Sequence, residues 1–189
     1  MRKLFYASAL LIVVWSLPCF AASVIPPAGS AERNALIDGI KIDDGSFMQL
    51  LEDKWVFTKK TSLLDNSKEI SLMTEASIGN GVLMLHCFSG RYTVLFSFNK
   101  HLGNIPGDLE YKFDDLPIET ATITLSDNGI TFVLTEPVLF IKSMLNKNKL
   151  AVRLSPYKKG TMESLFDISG IDTAIEPFAK ECGWNLKTN

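Results

Sequence analysis

Two apolar runs separated by two residues constrain this chain more than any other feature. Gly81 to Phe88 is almost continuously apolar. Arg91 to Phe98 alternates, with Tyr92, Val94, Phe96 and Phe98 on one side, and Ser89-Gly90 lies between the two runs. Side chains of a strand point to opposite faces in turn, so a period of two with a two-residue connection predicts an antiparallel hairpin. The unbroken apolar run predicts that its first strand is central and covered on both faces.

The same periodicity extends through the chain from Trp55. Trp55 to Thr58 reads as a strand. Glu69 to Ala76 alternates, with Ile70, Leu72 and Thr74 on one face. Asp108 to Phe113 places Leu109, Tyr111 and Phe113 together. Thr120 to Leu125 and Ile130 to Leu134 flank Ser126-Asp127-Asn128-Gly129, whose Asn-Gly is the strongest short hairpin dipeptide. Lys149 to Leu154 and Glu163 to Ile168 supply two more strands. Roughly eight or nine short strands with turn signals between them predict a mainly β protein, either an antiparallel β-sandwich or a partly open barrel.

Two helices interrupt the strands. Pro137 suits a first helical turn, and Val138, Ile141 and Leu145 recur at helical spacing. Ser169 with Asp172 predicts a capping-box start for the second, whose Ile171, Ile175, Phe178 and Cys182 share a face, and Pro177 predicts a kink. A third, short helical pattern opens at Ser30-Ala31-Glu32-Arg33, carries Leu36, Ile37 and Ile40, and ends at Asp43-Asp44-Gly45. Its expected place is outside the main domain.

The first residues carry an address. Arg2 and Lys3 precede an apolar run from Leu4 to Leu17, then Pro18-Cys19-Phe20-Ala21-Ala22. A charged start, an apolar stretch and small residues at its end are the layout of a secretory signal peptide. The run is shorter than the ~20 residues that span a bilayer, and Pro18 breaks it. Pro18 also stands where a lipoprotein would need a small residue before Cys19. The expected organisation is a signal peptide over 1–21, a linker with a short helix over 22–50, and one β-rich domain over 51–189. Cleavage leaves about 168 residues, enough for one domain with its own core. It takes the formal net charge from −2 to −4 by removing Arg2 and Lys3. An acidic balance without a long basic run argues against nucleic acid as partner. No later apolar stretch is long enough to span a membrane, so an exported protein without a membrane span is expected.

Cleavage also discards Cys19, leaving Cys87 at the end of a strand and Cys182 at the end of the last helix. In an oxidising compartment such a pair reads as a disulfide, which would clamp the helix onto the sheet. Two free thiols and a metal pair are the competing readings. A metal needs more ligands, and only His86 is near either cysteine in sequence.

Other candidate chemistry is thin. His86 and His101, the two histidines, belong to no ligand cluster and read as structural. Asp114-Asp115, with Glu110 and Glu119 nearby, offers carboxylates for acid–base work or calcium, but turn residues are the simpler reading. Lys147, Lys149, Lys158 and Lys159 read as a solvated face. Phe96, Phe98, Tyr111 and Phe113 suit core packing better than a binding platform. No nucleophile elbow or phosphate-binding glycine loop occurs, so no catalytic, cofactor-binding or metal residue is assigned and no cofactor is expected.

The order of features carries a resemblance. Trp55 opens the domain, and Leu83-Met84-Leu85-His86-Cys87 precedes Leu109-Glu110-Tyr111-Lys112-Phe113-Asp114-Asp115. Ser126-Asp127-Asn128-Gly129, Leu150-Ala151-Val152-Arg153-Leu154 and Phe166-Asp167-Ile168-Ser169-Gly170-Ile171 follow, and Cys182-Gly183-Trp184 comes near the end. Over roughly Trp55 to Trp184 this resembles the type VI secretion accessory family of periplasmic proteins, the VasI or TagO type. It departs from the family's usual Arg at His86 and at Lys112. The resemblance implies a Gram-negative periplasmic accessory protein without an established reaction, and it supports pairing of Cys87 with Cys182. The function expected is therefore non-enzymatic: assistance to type VI secretion or envelope assembly through an envelope or secretion-apparatus partner. The alternative is a periplasmic binding or inhibitor module acting on a cell-wall enzyme, with His101 to Pro106 and Asp114 to Glu119 as its loops. A hydrolase built on Asp114 or Asp115 ranks last.

Overall fold

The structure is a computed structural model, and it describes residues 25–41, 46–98, 108–126, 129–155 and 160–185. The leader, His101 with its loop, and Lys158 and Lys159 fall outside the described residues.

Among the described residues, eleven strands form one antiparallel sheet. They are β1 (Ile40–Lys41), β2 (Phe47–Leu51), β3 (Trp55–Thr61), β4 (Lys68–Ile78), β5 (Val82–Phe88), β6 (Arg91–Ser97), β7 (Asp108–Phe113), β8 (Glu119–Leu125), β9 (Thr131–Leu134), β10 (Lys149–Leu154) and β11 (Met162–Asp167). The helices are α1 (Ala31–Asp38), α2 (Pro137–Met144) and α3 (Ile171–Cys182). Eight strands close into a barrel in the order β4-β11-β10-β7-β8-β9-β6-β5 and back to β4. Of the two architectures expected, the barrel forms, and it is closed rather than partly open.

Closure depends on the length of β4. One edge of β4 pairs with β5, from Glu69 opposite Phe88 to Glu75 opposite Val82. Its other edge takes β3 first, from Thr61 opposite Lys68 to Val56 opposite Met73, and then β11 at Ala76–Phe166 and Ile78–Leu165. The change of neighbour follows from β3 ending at Trp55, which frees the edge for β11. A register shift between Leu165 and Phe166 accommodates it. Lys54 and Trp55 tie this junction. Lys54 Nζ lies 2.8 Å from Asp167 Oδ2, and the Trp55 indole donates to the Ser169 carbonyl at 3.3 Å.

The β5–β6 hairpin forms as its sequence predicts, with Phe88 opposite Arg91. Ser89 and Gly90 have φ of 49° and 76°, the two positive values that a tight hairpin of this hand requires. Their interior faces carry Leu83, Leu85, Cys87, Val94 and Phe96, all buried. Phe96 is the centre of an aromatic core, stacked on Phe132 at 5.4 Å and edge-on to Phe166 at 5.8 Å and Phe140 at 6.0 Å. Phe98 and Phe113 are equally interior and Tyr111 packs beside them, so these aromatics are core. β8 and β9 pair antiparallel as expected, with Leu125 opposite Phe132, and Gly129 has a positive φ of 67°, whereas Asp127 and Asn128 lie outside the described residues.

A second, smaller core lies on the outer face. Met73 and Val56 are cross-strand partners pointing away from the barrel interior, and Leu36 of α1 buries them together with Met48 and Leu50. Ser30 caps α1 by accepting from the Arg33 amide at 3.1 Å. This layer explains why residues 70–74 of β4 are buried on both faces, and why Val82 and Met84 are half-covered on β5. Strands β1 and β2, which the periodicity argument leaves out, complete it.

Pro137 occupies the first turn of α2, whose buried face is Phe140, Ile141 and Met144. The capping box expected at Ser169 does not form. Gly170, left-handed with φ of 79°, stands at the N-cap instead. The Ser169 hydroxyl is committed to Asp167 at 2.6 Å, and Asp172 accepts from the Asn146 amide at 3.0 Å. α3 continues past Pro177 to Cys182 and buries Ile171, Ala174, Ile175, Phe178 and Ala179.

Candidate functional site

The last turn of α3 packs against the start of β6. Gly183 adopts a left-handed φ of 69°, which lets the Trp184 amide fold back onto the Ala179 carbonyl at 2.8 Å. This helix ending needs a residue without a Cβ penalty, so Cys182-Gly183-Trp184 is a conformational unit. Reversal of the chain brings the Trp184 ring to 5.1 Å from Tyr92, and the Tyr92 phenol donates to the Cys182 carbonyl at 3.2 Å.

Cys182 then lies at contact distance from Cys87, the residue opposite Tyr92 in the β5–β6 ladder. Cys87 is buried and Cys182 half-buried. Burial, and next the proximity of Cys87, push the Cys182 thiol far above the usual cysteine range. A buried thiol of that kind is a poor nucleophile, because the thiolate is the reactive form. Glu181 beside it accepts from Lys59 at 2.8 Å and Lys68 at 2.9 Å. Those two donors hold its carboxyl below the usual range. The ion pairs fasten α3 to β3 and to the start of β4.

The carboxylates singled out from sequence have separate tasks. Asp114, with φ of 47°, accepts from the amides of Asn148 and Lys149 at 3.1 and 2.8 Å and so joins the end of β7 to the start of β10. Asp115 is exposed in the turn that follows. Glu119 accepts from the Tyr111 hydroxyl at 2.7 Å. Burial, then that carboxylate, push the Tyr111 phenol up to about 12. Glu110 accepts from Arg153, which holds its carboxyl below the usual range. These acids are distributed around β7 rather than gathered on one point. His86 pairs with Glu69 on the outer wall at 3.2 Å, away from the interior-facing Cys87. Among the described residues, no group of three or more His, Cys, Asp and Glu could hold a metal ion.

Sequence reasoning passed over Lys54 and gave Ser169 only a capping role, yet Lys54, Asp167 and Ser169 converge. Lys54 Nζ donates to Ser169 Oγ at 2.7 Å and to Asp167 Oδ2 at 2.8 Å. Burial raises the Asp167 carboxyl, but hydrogen bonds from Lys54 and Ser169 outweigh it and lower the net value. Lys54 donates to the Ser169 hydroxyl, which in turn donates to Asp167 Oδ1 at 2.6 Å, so the serine's proton is held by the carboxylate. The trio is a tether between β3, β11 and α3.

The outer wall carries a groove of about 390 Å³ across β7, β10, β11 and the end of β4. Register explains its lining. One cross-strand row runs Lys112–Ala151–Leu165–Ile78, and the next runs Glu110–Arg153–Glu163. Ala151 is the small residue in the first row, and the hollow lies over it. Arg153 is bracketed by Glu110 and, at 3.7 Å, by Glu163. No signal of period two alone identifies this groove, because it depends on which four strands become neighbours.

No protein-family model matches this chain, and neither a curated protein nor a solved structure shows significant similarity to it. No helix among the described residues is long and apolar enough to cross a membrane.

Proposed function

We propose that this protein is an exported, non-enzymatic accessory protein of the bacterial periplasm, assisting type VI secretion or envelope assembly. The leader over 1–21 and the resemblance from Trp55 to Trp184 motivate this reading. The observation that supports it most is the contact between Cys87 and Cys182, which suits a protein built for an oxidising compartment. A clamped barrel is a rigid body that presents its walls and turns to a partner. Fractionation of expressing cells tests the compartment, and deletion of the gene tests the role. Loss of type VI secretion in the deletion strain is the expected result; normal secretion there removes the accessory reading.

A second reading, an inhibitor or binding module directed at a cell-wall enzyme, draws on the β3–β4 turn. Leu63 and Leu64 are 88% and 98% exposed at its tip. The Ser62 hydroxyl accepts from the Leu64 amide at 3.2 Å, and Asp65 accepts from the Ser67 amide at 3.0 Å, so the turn is ordered locally. Two leucines on a stiff turn are suited to insertion into an apolar cleft. Inhibition of a purified lytic wall enzyme by the protein, lost in the Leu63→Ser/Leu64→Ser variant, is the result this reading requires.

A further inference from the structure

The groove on the outer wall has the composition of a ligand site. Its long row crosses four strands, Lys112 on β7, Ala151 on β10, Leu165 on β11 and Ile78 on β4. Ile118, one position beyond the Tyr111–Glu119 pair, flanks Lys112 on the other side and also lines the groove. Ile78 and Ile118 are 66% and 57% exposed although both are large and apolar. Scattered exposed apolar residues need no explanation, but Ile78, Leu165 and Ala151 form a continuous apolar track, with Lys112 between it and Ile118.

Charge is uneven along that track. In the short row Arg153 lies between Glu110 and Glu163, which leaves one carboxylate in excess there, at the rim beside the more distant Glu163. Lys112 is half-buried and has no ion-pair partner among the described residues. It lines the groove next to Ala151, and its ammonium is the charge without an ion-pair partner there. From Ala151 to Ile78 the track crosses two strand spacings, about 10 Å. A volume of about 390 Å³ falls within the range of small-molecule sites.

We propose that this groove binds a small aliphatic carboxylate, with its anionic head on Lys112 and its chain over Ala151 and Leu165 toward Ile78. Charge complementarity selects the head: a cation in place of the carboxylate would meet the ammonium of Lys112. The apolar track selects an unbranched tail, and the hollow at Ala151 admits it. Glu163, at the polar rim, turns away a second negative charge, so a monocarboxylate fits better than a dicarboxylate.

Titration of the full exported chain, labelled with nitrogen-15, tests this with butyrate, hexanoate and octanoate below their micelle concentrations. Saturable shifts of amide signals from β7, β10 and β11 are expected, with affinity rising at each step in length. Lys112→Gln should weaken octanoate binding about tenfold, and Ala151→Leu should abolish it by filling the hollow. Octylamine should leave the same signals unmoved. Absence of saturable shifts with octanoate would overturn the proposal, as would octylamine or the Lys112→Gln variant binding as well as the original pair. Lys112 is on the barrel's outer wall, so its variant retains the fold, and an unchanged thermal midpoint verifies that.

Discussion

The Tyr92 phenol donates to the carbonyl of Cys182, joining the start of β6 to the final residue of α3 across ninety positions of chain. The same tyrosine lies opposite Cys87 in the β5–β6 ladder, so one side chain sets the approach of both cysteines. Trp184 packs on its ring at 5.1 Å and Phe178 lies at 6.5 Å. The helix end is therefore positioned by contacts that exist whether or not the sulfurs are bonded.

Oxidation should close that pair. In an oxidising compartment two thiols lose two protons and two electrons to a disulfide oxidant, and the Cys87–Cys182 bond forms. Protein oxidised with a disulfide oxidant and then freed of it is expected to carry no alkylatable thiol at Cys87 or Cys182. Reduction should lower stability by a few kcal/mol, since a closed loop of order 100 residues is worth about 4–5 in the loop-entropy model and measured values often fall short. Mass spectrometry after alkylation, with and without reductant, decides it; two labelled thiols in the oxidised sample would contradict it.

The phenol should matter even in the reduced protein. Tyr92→Phe keeps the ring and removes one neutral hydrogen bond, for an expected loss of about 1 kcal/mol. Trp184→Ala removes the ring contact as well as apolar burial and should cost more, about 2 kcal/mol. Urea unfolding in reductant separates the two. Equal midpoints for Tyr92→Phe and the parent would show that the phenol finds water as good a partner.

Glu181 should give the protein a stability term that depends on pH. Lys59 and Lys68 hold its folded-state carboxyl below the ordinary range. The contribution is therefore complete above the ordinary glutamate pKa, and it is lost as pH falls through the lowered folded value. Thermal midpoints of the parent and Glu181→Gln, taken from pH 7 down to pH 2, should differ by a constant amount at first and then converge. A difference that survives at the acid end would place its origin in packing rather than in the ion pairs.

Gly79 and Gly90 both have positive φ, yet only one is confined. A Cβ at Gly79 would stand 2.5 Å from the Glu163 carbonyl oxygen, and nothing lies within 4 Å of one at Gly90. Gly79 belongs to the β4–β5 turn where it presses on β11, beside the barrel-closing pair Ile78–Leu165. Gly90→Ala should cost about 1 kcal/mol, the left-handed backbone penalty alone. Gly79→Ala should cost at least twice that, because backbone must move as well. Chemical unfolding measures both, and equal losses would mean that β11 yields freely.

Much of the fold is legible in local pattern. Alternation at Arg91 to Phe98 and at Asp108 to Phe113 places the right faces inward, Ser89-Gly90 marks a real hairpin, and β8 pairs with β9 as expected. Such signals are local because side-chain direction along a strand and the φ of a turn are set by neighbouring residues. The juxtaposition of Cys87 with Cys182 was also within reach, since each sits at the end of an element and the helix face carrying Cys182 is apolar. The N-cap of α3 was not, because Ser169 is diverted by Asp167 and Lys54, residues from other strands.

The sequence by itself determined the β character, the hairpins and the inward aromatics, all consequences of spacing and residue type. Tertiary structure alone decided that the sheet closes. Closure requires β4 to exchange β3 for β11 along one edge, and that depends on where Trp55 ends β3 and on the register shift at Leu165. It also decided the wall groove, whose row from Lys112 to Ile78 draws one residue from each of four strands. A strand's periodicity states which face a residue takes, whereas its neighbour across the sheet is chosen by packing of the whole chain.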